Sequence, residues 1–232
     1  MKFLIPRGAS GIFLLYNTYM TEGIFAVYKP LGITSHDVVD IVRKKTGVKR
    51  VGHGGTLDPL AEGVLVIAVG RENTKKLDEY VKGGKEYVAE VYLGENSKTD
   101  DSEGEKTEIN KEIKPSKTEV ETTIKQFVGK ISQTPPIYSA LKLQGQPAHR
   151  RVRKGQAIKL EPREVEIKEI ELLSYEYPII KLIVACGPGV YIRSIARDLG
   201  EKLGTGGYLK SLIRTRVGEF TLEKCLKISD LS

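Results

Sequence analysis

The stretch VGHGGTLDPLAEGVLVIAVG, residues 51–70, ends in an unbroken apolar run and carries a single aspartate, Asp58, just ahead of it. Val64 to Val69 lacks polar alternation, so it reads as a strand buried on both faces. Gly54 and Gly55 permit a tight turn before it. Pro59 pushes the preceding residue out of helical space and holds Asp58 in extended backbone. A loop constrained in this way and planted on a buried strand is a good platform for a reactive group. The competing structural role is an Asx-turn in which Asp58 caps its own loop.

Working outward, GIFAVYKP (23–30) is rich in β-branched and aromatic residues and stops at a proline, which predicts a strand. TSHDVVDIVRKKTG predicts a helix with Ser35 as N-cap, Asp37 in the first turn, Val38, Val39, Ile41 and Val42 on one face, and Gly47 as the stop. KEYVAEVYLG (85–94) predicts a strand neighbouring the buried one. Residues 94–118 are charged and turn-forming and are expected to be a solvated loop or hairpin. EVETTIKQFVG (119–129) returns to helical spacing through Val120, Ile124, Phe127 and Val128. Two strand patterns flank Pro178, and residues 189–204 predict a helix with Ile192, Ile195, Ala196, Leu199 and Leu203 as its apolar stripe. Strands and helices mix without strict alternation, which favours an α+β fold over a doubly wound parallel sheet.

The 232 residues contain 37 Lys and Arg against 30 Asp and Glu, a net charge of +7, and this excess favours a polyanionic partner. No apolar run reaches the roughly 20 residues a membrane-spanning helix needs. The start has no secretory signal, and residues 1–19 read as an N-terminal extension or as an upstream start ahead of Met20. Cys186, Cys225 and the three histidines are too scattered for a zinc site, so a reducing cytoplasmic location without a structural metal is expected. Basic residues concentrate in His149–Lys154 (HRRVRK), where the alternatives are nucleic-acid contact and a solvated helix face. Arg193 falls in the first turn of its helix, off the apolar stripe, where the helix dipole and Arg197 both disfavour a cation. Arg197 has Glu201 four residues on; a distant carboxylate is the economical partner for Arg193, the alternative being exposure to solvent. Neither G-x-x-x-x-G-K-[ST] nor G-x-G-x-x-G occurs, which argues against a phosphate-loop nucleotide enzyme.

GHGGTLDPLAEGVL resembles the G-H-x-G-T-L-D-P motif of the TruB-type tRNA pseudouridine synthases. YKPLGITSHDVV, KEYVAEVYLG, TDDSEGE, TPPIYSALKLQG, GPGVYIRSIARDLG and LKSLIRTRVGEF follow in that family's order across residues 23–222. The resemblance implies a pseudouridine synthase fold, a mixed and mostly antiparallel sheet with flanking helices and a central RNA-binding cleft. It implies isomerisation of uridine 55 in the T loop of tRNA, with no cofactor and no metal. Asp58 falls on the catalytic carboxylate, acting on a flipped-out uridine by attack on the sugar, attack on the base or proton abstraction. Tyr87 matches an active-site tyrosine, Arg193 the arginine that pairs with the aspartate, and Leu212 a pocket leucine. His53 matches a histidine that fills the vacated base stack, beside Gly55 and Thr56 of the same RNA-facing loop. Residues 133–155 resemble a thumb-like insertion that closes on the T arm, with Lys142 and Arg153 at matching positions and Arg150 and Arg151 adding charge. His149 stands where the family usually has tyrosine, and Tyr208 where it usually has histidine.

The expected organisation is therefore a catalytic domain over residues 20–232, without a PUA-type RNA-binding domain, acting as a monomer on tRNA with no membrane partner. A guide-RNA-dependent synthase and a catalytically idle RNA-binding protein are the rival readings. The joint presence of Asp58, Tyr87 and Arg193 argues against the idle protein, because binding alone needs no carboxylate beside phosphates.

Overall fold

The computed structural model describes residues 22–110, 112–139, 141–143, 146–147, 158 and 160–231. The extension 1–19 and the basic residues Arg150, Arg151 and Arg153 lie outside the described residues. Contacts divide the chain into two units, Met1–Gly84 with Ile213–Ser232, and Lys85–Leu212.

In the first unit β1 (Gly23–Lys29) pairs antiparallel with β3 (Ala61–Val69) along its whole length, from Gly23 opposite Val69 to Lys29 opposite Gly63. The short β2 (Val51–Gly54) also pairs antiparallel with β3, His53 standing opposite Ile67. The two apolar phases of β3 bury against different partners. Leu65, Ile67 and Val69 pack with Val38, Val39 and Val42 of α1 (Ser35–Thr46), while Val64, Val66 and Ala68 pack with Leu77 of α2 (Arg71–Val81). Burial on both faces explains the missing alternation, and each such aliphatic side chain contributes about 1.5–3 kcal/mol. The end of β12 (Gly207–Val217), from Ile213 onward, lies in this unit and leads into β13 (Phe220–Thr221). Gly63 lets β12 come close, because a Cβ there would sit 2.2 Å from the Arg214 carbonyl oxygen.

The N-cap of α1 is Thr34 rather than Ser35. The Thr34 hydroxyl accepts from the Asp37 N–H, and the Asp37 carboxylate accepts from the Thr34 N–H, a complete capping box. Ser35 is already helical, and its hydroxyl is used elsewhere. Gly47 ends the helix in left-handed backbone, as expected.

In the second unit the strand order is β12, β4 (Lys85–Leu93), β11 (Ile179–Cys186), β10 (Arg163–Glu176) and β7 (Gly129–Gln133). The pairs β4–β11, β11–β10 and β10–β7 are antiparallel. The expected partnership of β4 with β3 is therefore replaced by pairing with β11 and β12. The two strands predicted on either side of Pro178 are present, and they pair as an antiparallel hairpin. The helix α3 (Lys117–Lys125) carries its own capping box, Ser116 with Glu119, and ends before Phe127 and Val128. Phe127 is buried and Val128 exposed. The helix α4 (Ile192–Lys202) begins later than residue 189; the buried Gln133 side chain accepts from the Tyr191 N–H and donates to the Tyr191 carbonyl at its start. Between β4 and α3, β5 (Glu95–Ser97) and β6 (Lys106–Glu108) form a hairpin. This segment is not wholly solvated: Asp101 is 2% exposed. Within residues 133–155, β8 (Lys142–Leu143) pairs with β9 (Gln146–Pro147) over two residues. No helix among the described residues is long and apolar enough to cross a membrane.

Candidate active site

Asp58 follows β2 in a loop whose carbonyls are almost all engaged. The Gly55 carbonyl accepts from Arg214 Nη2 at 3.0 Å, and the Leu57 carbonyl from Ser35 Oγ at 2.9 Å. Ser35 Oγ also accepts from the Leu57 N–H at 2.8 Å, so one buried hydroxyl grips both polar groups of a buried residue. The Asp58 carbonyl accepts from the Ala61 N–H at 3.0 Å, and the Pro59 carbonyl from the Gly32 N–H at 2.9 Å. Gly55 has φ +82°, left-handed backbone that a side chain disfavours. Gly55 and Thr56 are exposed, and Asp58 is half-buried.

The same unit buries two cations near this loop. Lys29 is fully buried, its Nζ donating to the Pro30 carbonyl at 2.9 Å and the Ile33 carbonyl at 2.7 Å. Burial pushes its ammonium down to about 8, while the charges of Asp58 and Glu62 pull it back up and that of Arg214 adds to the depression. Arg214, 1% exposed, donates through Nε to the Val64 carbonyl at 2.7 Å as well as to Gly55. His53, on β2, is half-buried, and its Nδ1 has no hydrogen-bond partner. Burial, followed by the Arg214 and His36 charges, lowers its pKa and keeps the ring neutral at pH 7.

In the second unit Arg193 is 6% exposed. Its Nη1 donates to the Thr99 carbonyl at 3.2 Å and to Asp101 Oδ2 at 3.3 Å, and its Nη2 to the Tyr138 carbonyl at 3.0 Å. The exposed alternative for Arg193 is thus overturned. Arg197 turns to Asp100 Oδ2 and Asp198 Oδ1, both at 2.8 Å, where Glu201 was expected. Asp101 is further held by the Thr99 hydroxyl and the Glu103 N–H. Tyr87 on β4 stands opposite Val184 and is buried, and Leu212 is buried on β12. Tyr208 stacks on Tyr92 with ring centroids 5.2 Å apart and carries the Lys106 ammonium 4.6 Å from its own centroid. Lys142 lies on the β8–β9 pairing.

Sequence reasoning missed Lys29, Ser35, Asp101 and Arg214 as residues in or against these two loops. A signal existed for Arg214 alone: it shares the inward strand phase of Leu212, where a charge is unusual. Among the described residues no group of three His, Cys, Asp or Glu is placed to hold a metal ion.

Comparison with known proteins adds an independent line. Residues 43–192 match the TruB family pseudouridylate synthase N-terminal domain, and residues 193–232 match the tRNA pseudouridylate synthase B C-terminal domain. A relative from Protochlamydia amoebophila named tRNA pseudouridine synthase B is 44% identical over 210 residues, covering 90% of this chain and 79% of its own. One of the same name from Parabacteroides distasonis is 42% identical over 209 residues, covering 88% of each chain. Among solved structures, one in a Cbf5–Nop10–Gar1 complex is similar with a TM-score of 0.69 and 31% identity, covering 90% of this chain and 53% of that one. With the α+β architecture, the rigid G-T-L-D-P loop and a family match across more than half its length, the chain belongs to the TruB family of pseudouridylate synthases.

Proposed function

We propose that the chain is a tRNA pseudouridine synthase, an isomerase that converts uridine 55 of the tRNA T loop to pseudouridine. The observation that carries this reading is the 44% identity over 210 residues to a relative named tRNA pseudouridine synthase B. The reaction breaks the bond between C1′ and N1, turns the uracil, and joins C1′ to C5. The C5 proton leaves and N1 gains one, so no electrons are transferred.

In this reading Asp58 is the catalytic carboxylate. It acts as nucleophile toward sugar or base, or as the base that moves a sugar proton. Arg193 pairs with it and keeps it ionised, and Tyr87 stacks on the flipped base and assists removal of its proton. Leu212 lines the pocket. His53, neutral and with a ring nitrogen lacking a partner, is suited to take the place of the extruded base beside Gly55 and Thr56. Lys142, Arg150, Arg151 and Arg153 supply the thumb that holds T-arm phosphates. The enzyme works as a cytoplasmic monomer.

The test is an unmodified tRNA transcript incubated with the protein, with pseudouridine mapped by chemical adduct and primer extension. A single stop at the T-loop uridine, abolished by Asp58→Asn, is the expected result. Equal activity in both proteins would remove Asp58 from the chemistry. A second reading, a subunit of a larger RNA–protein particle, draws on the likeness to a chain of an H/ACA RNP bound to a substrate RNA, at 28% identity and TM-score 0.67. Activity on tRNA without any added RNA or protein separates the two.

A further inference from the structure

We propose that Ser35 and Arg214 are positioning residues for Asp58, a two-sided clamp that sets the loop 55–58 before RNA arrives; this rests on the catalytic reading of Asp58 above. The clamp is defined by where its bonds fall. Ser35 holds both the N–H and the carbonyl of Leu57, the residue adjoining Asp58, and Arg214 holds the Gly55 carbonyl. Thr56, between the two grips, is exposed. The loop is thus pinned at Gly55 and at Leu57, on either side of the exposed Thr56.

The choice of Arg214 is hard to explain by stability. Burying a guanidinium is costly, and its two hydrogen-bond acceptors here are the neutral carbonyls of Val64 and Gly55. An apolar strand residue at this inward position would pack without that cost. What the guanidinium alone supplies is a planar fork, with Nε on β3 and Nη2 on the catalytic loop, tying the loop to the most buried strand of its unit. Ser35 does the same from the first turn of α1. Catalysis is sensitive to such placement, since a displacement of about 1 Å can cost about 100-fold in rate.

The experiment measures single-turnover rate, steady-state kcat and KM, tRNA affinity by filter binding, and the thermal midpoint. It uses wild type, Ser35→Ala, Ser35→Thr, Arg214→Lys and Asp58→Asn. Lysine keeps the charge of Arg214 but offers its donors from a single nitrogen, without the fixed fork that places Nε on the Val64 carbonyl and Nη2 on the Gly55 carbonyl. The expected result is a fall in kcat of about 10- to 100-fold in Ser35→Ala and Arg214→Lys. KM and tRNA affinity should stay within about threefold of wild type, and Ser35→Thr, which keeps the hydroxyl, should recover most of the rate. If Ser35→Ala does not fold, Arg214→Lys decides alone. Wild-type kcat in folded clamp variants, or a loss confined to KM and affinity, overturns the clamp while leaving Asp58 in place. An inactive wild type, or an active Asp58→Asn, overturns the catalytic reading instead.

Discussion

The loop 55–59 of the first unit and the loop 99–101 of the second are both immobilised, by opposite means. The first is tethered through backbone carbonyls, to Ser35, Arg214, Ala61 and Gly32 in turn. The second is tethered through side-chain carboxylates, Asp101 to Arg193 and Asp100 to Arg197. Neutral tethers orient a loop through its backbone. Ionic tethers use the loop to orient arginines instead. The two should also fail differently, because losing a neutral bond leaves a polar group unsatisfied, whereas losing an ionic partner leaves a charge buried.

That contrast can be broken most directly with Asp101→Ala. Cutting the buried Arg193–Asp101 pair should cost about 3 kcal/mol of unfolding free energy, against about 1–2 kcal/mol for Ser35→Ala. Urea titration measures both, and a larger loss in Ser35→Ala would reverse the argument. Lys29 tests the electrostatics of the first unit through pH. Its folded pKa, about 8, lies below the ordinary 10.5, so the unfolded chain holds more protons between those values. The penalty of burying the ammonium is complete below about pH 8 and is relieved as pH rises through the window. Wild type should therefore gain on Lys29→Met by up to about 1.4 kcal/mol per pH unit there. A flat difference across that window would show that the ammonium is not desolvated as described.

The two capping boxes give a smaller and matched comparison. Thr34→Ala and Ser116→Ala should each cost about 1 kcal/mol. Because Ser35 adjoins Thr34, only the substitution in α1 should also lower kcat; equal effects on kcat would deny α1 its special role. The smallest expected effect is none at all. Burial pushes the Cys186 thiol to about 11 and that of Cys225 to about 12. Neither should be alkylated at neutral pH in the folded protein, and rapid labelling of either would indicate local opening.

Much of the first unit was legible because its signals are local. The unbroken run of β3, the proline after Asp58 and the glycine after α1 each act within a few residues of themselves. The cap of α1 was misread because Thr34 and Ser35 are adjacent hydroxyls of similar capping power. What separates them is Leu57, 22 residues away, which needs a buried donor and acceptor. The charged segment 94–118 was read as solvated, since charge is usually exposed. Its aspartates instead meet Arg193 and Arg197 across 92 and 97 residues of sequence. The expected Arg197–Glu201 pair failed for a related reason: the i, i+4 rule describes exposed helix faces, and Arg197 is turned toward Asp100.

What the sequence determined by itself was β1, α1, the buried run of β3, β4, the two strands flanking Pro178, the helices α3 and α4 and the motif order that marks the family. All of these follow from sterics and side-chain pattern over short spans of chain. Only the tertiary structure decided which charges are buried and what each one touches, because desolvation and pairing depend on neighbours that folding brings together from distant positions. Lys29, Arg193 and Arg214 look like ordinary basic residues in the chain, and become buried cations beside two rigid loops only once it is folded.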